Sequence, residues 1–111
     1  MGKQLVVMGG QLTTPPLPEG ARRKAGYLLR QLQEGEALIM PMSRPMPVVG
    51  PGCHELRILA ETTTWRIVYY IDDDAVVVLD VFSKKARSTP KSVIETAIKR
   101  RRAYLVAVAD S

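Results

Sequence analysis

Three short apolar runs lie close together between residues 54 and 82, and their spacing constrains the chain more than any other feature in it. They are His54-Glu55-Leu56-Arg57-Ile58, then Trp65-Arg66-Ile67-Val68-Tyr69-Tyr70, then Val76 to Phe82. All three favour β-branched and aromatic residues, which suit a pleated surface. The links between them, Glu61-Thr62-Thr63-Thr64 and Asp72-Asp73-Asp74-Ala75, are too short for a crossover. Neighbouring runs must therefore pair antiparallel, as a meander.

The links also suggest a register. Pairing 60 with 65 and 71 with 76 puts Arg57, Arg66, Val68, Leu79 and Val81 on one face. Leu56, Ile58, Ile67, Tyr69, Val78 and Phe82 fall on the other, because side chains alternate with a period of two. The second face reads as core. The first sets two arginines among aliphatic residues, with Glu55 on the same side and able to pair with Arg57. Two readings stay open there: an ion pair over a half-covered face, or arginines aimed into a cleft.

The flanks supply two helices. Residues 4–8 form a short edge-strand pattern closed by Gly9-Gly10. From Glu19 to about Glu34, Ala21, Ala25, Leu28 and Leu32 recur at helical spacing, with Leu29 beside them. Pro18 suits the first turn and Gly35 the stop. Residues 36–52 carry Pro41, Pro45, Pro47 and Pro51, which break regular structure. That segment is apolar enough to read as a compact connection held by Met42, Met46, Val48 and Val49. At the far end, Ser88 or Thr89 can cap a helix that starts at Pro90 and runs to about Val108. Its stripe is Ile94, Ala97, Ile98, Leu105 and Val108, with Val93 and Tyr104 at the edge and Arg101 in the middle.

Charge separates the two ends. Residues 1–82 hold eight Lys/Arg against nine Asp/Glu, whereas residues 83–111 hold eight against two. The excess of +5 therefore comes from the last quarter of the chain, which points to nucleic acid or an acidic partner. Lys91, Lys99 and Arg102 also fit a solvated helix flank, and cations near a helix carboxyl end meet its dipole favourably. No apolar run approaches the ~18 residues of a membrane span. The start lacks a secretory h-region, and one cysteine, Cys53, fits a reducing cytosol, so a cytoplasmic protein is expected. One Cys and one His cannot build a tetrahedral metal site, so no metal or other cofactor is expected.

The ordered series Glu55-Leu56-Arg57, Trp65-Arg66-Ile67-Val68-Tyr69, Val81-Phe82-Ser83-Lys84-Lys85, Thr89-Pro90-Lys91 and the closing basic helix resembles the RelE/ParE superfamily of bacterial toxins. Its phage-derived, HigB-like branch is the most similar. The resemblance spans roughly residues 17–104. It implies an α+β fold over residues 1–111: a helical N-terminal part packed on a curved antiparallel sheet of three to five strands, with a C-terminal helix. It implies the toxin of a type II toxin–antitoxin module, with a helix-turn-helix antitoxin, the ribosome and mRNA as partners. Many members cleave mRNA in the ribosome; the ParE branch instead poisons gyrase, and a catalytically weak nucleic-acid-binding relative is a further alternative. Carried onto this chain, Arg57, Arg66, Lys84 and Lys85 become catalytic cations, with His54 and Tyr70 as acid–base candidates. Arg87, Lys91, Arg101 and Tyr104 become RNA contacts, Tyr104 by stacking on a base. The mixed sheet face further predicts that an antitoxin segment covers Val68, Leu79 and the two arginines.

Overall fold

The computed structural model describes residues 2–9, 17–84 and 88–110, and of Lys84 the backbone alone. In chain order it holds β1 (Gln4–Val7), α1 (Glu19–Gln33), β2 (Ser43–Pro45), β3 (Cys53–Ala60), β4 (Thr63–Ile71), β5 (Ala75–Lys84) and α2 (Lys91–Ala109). The strands form one sheet in the order β1-β5-β4-β3-β2. The meander β3-β4-β5 is antiparallel throughout, and β2 adds antiparallel to β3. The edge strand β1 lies parallel to β5, so the sheet is mixed rather than wholly antiparallel.

The β3–β4 hairpin is tighter than the link length suggests. Ala60 pairs with Thr63, leaving Glu61 and Thr62 as a two-residue turn, with Glu61 in the left-handed region at φ 51°. Arg57 therefore faces Arg66 across the strands instead of Val68. The shift is two residues, one full side-chain period, so the facial grouping of β3 and β4 survives it.

β5 behaves differently. Ile71 pairs with Val76 as expected and Tyr69 with Val78, but Val68 then pairs with Asp80. Leu79 is the extra residue of a bulge, and everything beyond it changes pleat. Val81 now faces Ile67 and Phe82 faces Arg66, which reverses the faces expected for both.

Each face of the sheet carries its own helix and its own core. Leu17, Ala21, Ala25, Leu28, Leu29 and Leu32 of the α1 side pack on Leu56, Ile58, Ile67, Tyr69, Val76, Val78 and Val81. Leu29 is almost fully enclosed. Trimming it to Ala would cost about 2–5 kcal/mol, since the rigid sheet beneath cannot collapse into the gap. On the other face, Ala97 and Tyr104 of α2 meet Val68, Val77, Leu79, Cys53, Met46 and Val49. Val68 and Leu79 are fully buried there, so the cover expected from an antitoxin segment is supplied by the chain's own α2.

Three local expectations change. Thr89 does not cap α2; Pro90 holds the cap position without a side-chain hydrogen bond, and the Thr89 hydroxyl is used elsewhere. Val108, expected in the α2 stripe, is 46% exposed. In the proline-rich connection, Met46 and Val49 are buried but Met42 and Val48 face solvent. Among the described residues, no helix is long and apolar enough to cross a membrane.

Candidate phosphate-binding cluster

Glu55 stands on β3 opposite Val68, on the same face as the Arg57–Arg66 pair, and its side chain is fully buried. A carboxylate in that position must be compensated by partners. Arg44 of β2 supplies Nε at 3.2 Å and Nη2 at 3.1 Å from Oε1. Arg66 of β4 brings Nη1 to 3.5 Å from the same oxygen. The Thr89 hydroxyl donates to Oε2 and accepts from Arg44 Nη2 at 3.2 Å. One carboxylate thus joins β2, β3, β4 and the chain just before α2.

Arg57 completes the group. It sits directly across from Arg66, is exposed, and is not the arginine that Glu55 pairs with, contrary to expectation. Burial pulls the Arg66 guanidinium below its ordinary value; Glu55 opposes the fall, and Arg57 and Arg44 add to it. Arg66 Nε is enclosed without a hydrogen-bond partner among the described residues. Two guanidinium groups therefore hold one carboxylate, and Arg57, exposed and directly across from Arg66, adds a third positive charge beside them.

The described residues on either side of the basic stretch after β5 both lie by this cluster. At one end, the Lys84 backbone pairs with Thr64, two residues from Arg66 on β4. At the other, Thr89 is held by Glu55. Lys85 and Arg87 lie outside the described residues, as does the Lys84 side chain. Lys91 is exposed in the first turn of α2, 3.9 Å from Glu95.

The remaining candidates are elsewhere. His54 pairs with Tyr69 and stacks on its ring at 5.3 Å, on the α1 side of the sheet. Neighbours on a strand point to opposite faces, so His54 cannot reach the phosphate that Arg57 and Arg66 would hold. Tyr70, opposite Cys53, lies under the Arg101 guanidinium, which is 4.8 Å above its ring. Gly50 makes room for that arginine: at φ 152°, a Cβ there would sit 3.1 Å from the guanidinium. Burial raises the Cys53 thiol, with Arg101 opposing. Tyr104 meets Tyr70 edge-on at 6.2 Å and donates its hydroxyl to Asp72 Oδ2 at 2.7 Å. At 8% exposure its ring is part of the α2 core and is not displayed to a base. This second group is centred on the Cys53–Tyr70 pair, about 13 Å along the strand from Arg57 at ~3.3 Å per residue. Among the described residues, no cluster of His, Cys, Asp or Glu could hold a metal ion.

The model of one family, described as Phage derived protein Gp49-like (DUF891), matches residues 16–102. The chain belongs to that family. Among solved structures, this Gp49-like chain is similar to a double arginine-to-alanine mutant of the E. coli toxin RelE in the free state. The identity is 19% and the TM-score 0.57, over 90% of this chain and 98% of that one, a likeness of fold. No curated protein matches. The family match agrees with the phage-derived reading of the sequence, and the fold with its RelE-like architecture.

Two members of the Gp49-like cluster were not legible beforehand. Arg44 lies in the proline-rich connection, where a three-residue strand leaves no periodicity to read. Thr89 looked like a helix cap because it stands beside Pro90. The signal that could have found both is Glu55 itself, a carboxylate flanked on its own face by a single arginine and by apolar residues. A buried acid of that kind needs further donors from other elements.

Proposed function

We propose that this chain is the toxin of a type II toxin–antitoxin module, of the HigB-like branch, and that it cleaves mRNA on the ribosome. The observation that carries the proposal is the pair Arg44 and Arg66 on one buried carboxylate, with the exposed Arg57 directly across from Arg66. Its surplus charge, placed where the basic segment joins the sheet, suits a phosphodiester. In the reaction the ribose 2′-oxygen attacks the adjacent phosphorus and the 5′-oxygen leaves, giving a cyclic phosphate and a free 5′-hydroxyl. Negative charge builds on the phosphorane oxygens between these steps. Fixed guanidinium groups lower that barrier because they are already oriented. Arg57 is the group open to the phosphate, and Arg66, held by Glu55, sets a second fixed positive charge beside it. Lys84 and Lys85, which the resemblance matches to the family's basic segment after the last strand, add cationic charge for the same transition state.

A second reading, binding without cleavage in the manner of gyrase-poisoning ParE relatives, draws on one observation. His54 and Tyr70, the expected acid–base pair, both lie away from the arginines. Primer extension on translated mRNA after induction separates the two, with plasmid supercoiling measured in the same cells. Codon-periodic cleavage that disappears in Arg57→Ala/Lys84→Ala supports the nuclease. Growth arrest with intact mRNA and relaxed or broken DNA supports the gyrase reading. Undiminished cleavage in the double variant would eliminate the cluster as the site.

A further inference from the structure

The proline-rich connection poses a question that its sequence did not. It was apolar enough to look like core, yet much of it is displayed to water: Ile39 is 72% exposed, Met40 63% and Met42 42%. Leu59 joins them at 54%, across a shallow hollow of about 160 Å3 lined by Pro41, Met42, Arg57 and Leu59. The display is held in place. Met42 N–H and Ser43 N–H both donate to Ile39 O, and Arg57 N–H donates to Met42 O at 2.7 Å. A backbone pinned at three points that points four large apolar side chains outward marks an interaction surface. Because the turn is already ordered, a partner need not supply the entropy of ordering it.

Two cations bracket the patch. Arg57 borders the hollow, and Lys24 of α1 reaches Leu59 O with its ammonium on the other side. Beyond Leu59 opens a cleft of about 330 Å3, lined in part by Ala21, Lys24, Glu61 and Trp65. The Trp65 indole N–H is enclosed in the wall of this cleft, without a hydrogen-bond partner among the described residues. The exposed groups are aliphatic or thioether, whereas bases are usually held on aromatic rings or guanidinium planes. Methionine-rich apolar surfaces adapt instead to protein side chains.

We infer that the turn 39–42 and Leu59 form a docking surface for an amphipathic, acidic protein segment, one that buries its apolar residues there and sets a carboxylate on Arg57. Resting on the toxin reading above, the segment belongs to the antitoxin, and docking regulates the cluster by occupying its one exposed arginine. Protein and mRNA then compete for Arg57 although they use different neighbours of it.

The test uses the full chain co-expressed with the helix-turn-helix protein encoded beside it, and the affinity of the purified pair. Met40→Asp and Leu59→Asp each place a like charge against the incoming acid and remove an apolar anchor, so binding should weaken by about tenfold to a hundredfold. Val106→Asp, on the exposed face of α2, is the control and should bind as the wild type does. Melting temperatures of all three should match the wild type, since none of these side chains is buried. Growth arrest by Met40→Asp should persist but escape neutralisation by the co-expressed protein. Unchanged affinity in both patch variants overturns the surface while leaving the toxin reading intact. A neighbouring protein that does not bind the wild-type chain overturns the surface together with the antitoxin assignment. Loss of self-association in Met40→Asp by sedimentation, or loss of RNA affinity without loss of the protein partner, would also overturn it.

Discussion

Replacing Glu55 by Gln tests the cluster most directly. The substitution preserves shape and leaves an oxygen for Thr89, but it removes the charge that Arg44 and Arg66 share. The two arginines respond unequally. The Arg66 side chain is 14% exposed and cannot recover its hydration. That of Arg44 is 37% exposed and can, so its share is discounted toward the ~0–1 kcal/mol of a surface pair. Breaking a buried pair by deleting one partner costs about 3–5 kcal/mol. Allowing for the partial exposure of Arg44, a loss of about 3 kcal/mol is expected. At ~4 °C or more per kcal/mol for a domain of this size, the melting temperature should fall by about 12 °C, read by calorimetry or circular dichroism. Adding Arg66→Met should return at least half of that loss, because the stranded cation is then gone. A fall of less than about 3 °C in the single variant, or simple additivity in the double, would refute the account of Glu55 as the group that holds the arginines together.

Arg57→Ala, by contrast, should change stability by no more than about 0.5 kcal/mol, since the side chain is exposed, while abolishing growth arrest on induction. Burial first and Asp72 second push the Tyr104 hydroxyl up to about 12. The unfolded chain loses that proton near ~10 and the folded one does not, so the contribution of Tyr104 to stability is intact below pH ~10 and drains away between ~10 and ~12. Alkaline unfolding curves should show that slope, and Tyr104→Phe should flatten it. Gly52→Ala should destabilise by about 1–3 kcal/mol in urea titrations. Its φ is +75°, and a Cβ would meet the Tyr70 ring at 3.0 Å, just where Gly52 O receives Ile71 N–H.

Much of the fold could be read from residues 54–82 because period-two alternation is local and strong there. Helix α1 was equally legible: its apolar stripe repeats over a full fifteen residues and ends at a glycine with φ +90°. Helix α2 gave up its span but not its anchoring. Its moment is diluted by Arg100 and Arg101, which turned out to be structural: Arg100 reaches Leu79 O at 2.7 Å and Asp80 at 3.2 Å. The bulge at Leu79 left no mark, since Val76 to Phe82 is apolar on both pleats except at Asp80. Arg57 and Arg66 were placed together correctly because a two-residue error in register preserves the face. Arg44 was missed because its strand is three residues long, whereas His54 was already set apart from the arginines by alternation, which puts it on the pleat of Leu56.

The extra residue at Leu79 works as a phase shifter. Before it, β5 sends Val76 and Val78 to one helix; after it, the same strand sends Val81 there instead of Phe82. The two halves of β5 are therefore out of step by one position, and so is all that follows. Deleting a single residue at the bulge would leave the strand pairable yet bring the chain off the opposite pleat at Lys84. The chain would then leave the strand on the wrong side of an otherwise intact sheet. A length change of one residue, with every charge kept, would in this respect redirect the chain more than removing any one of its arginines.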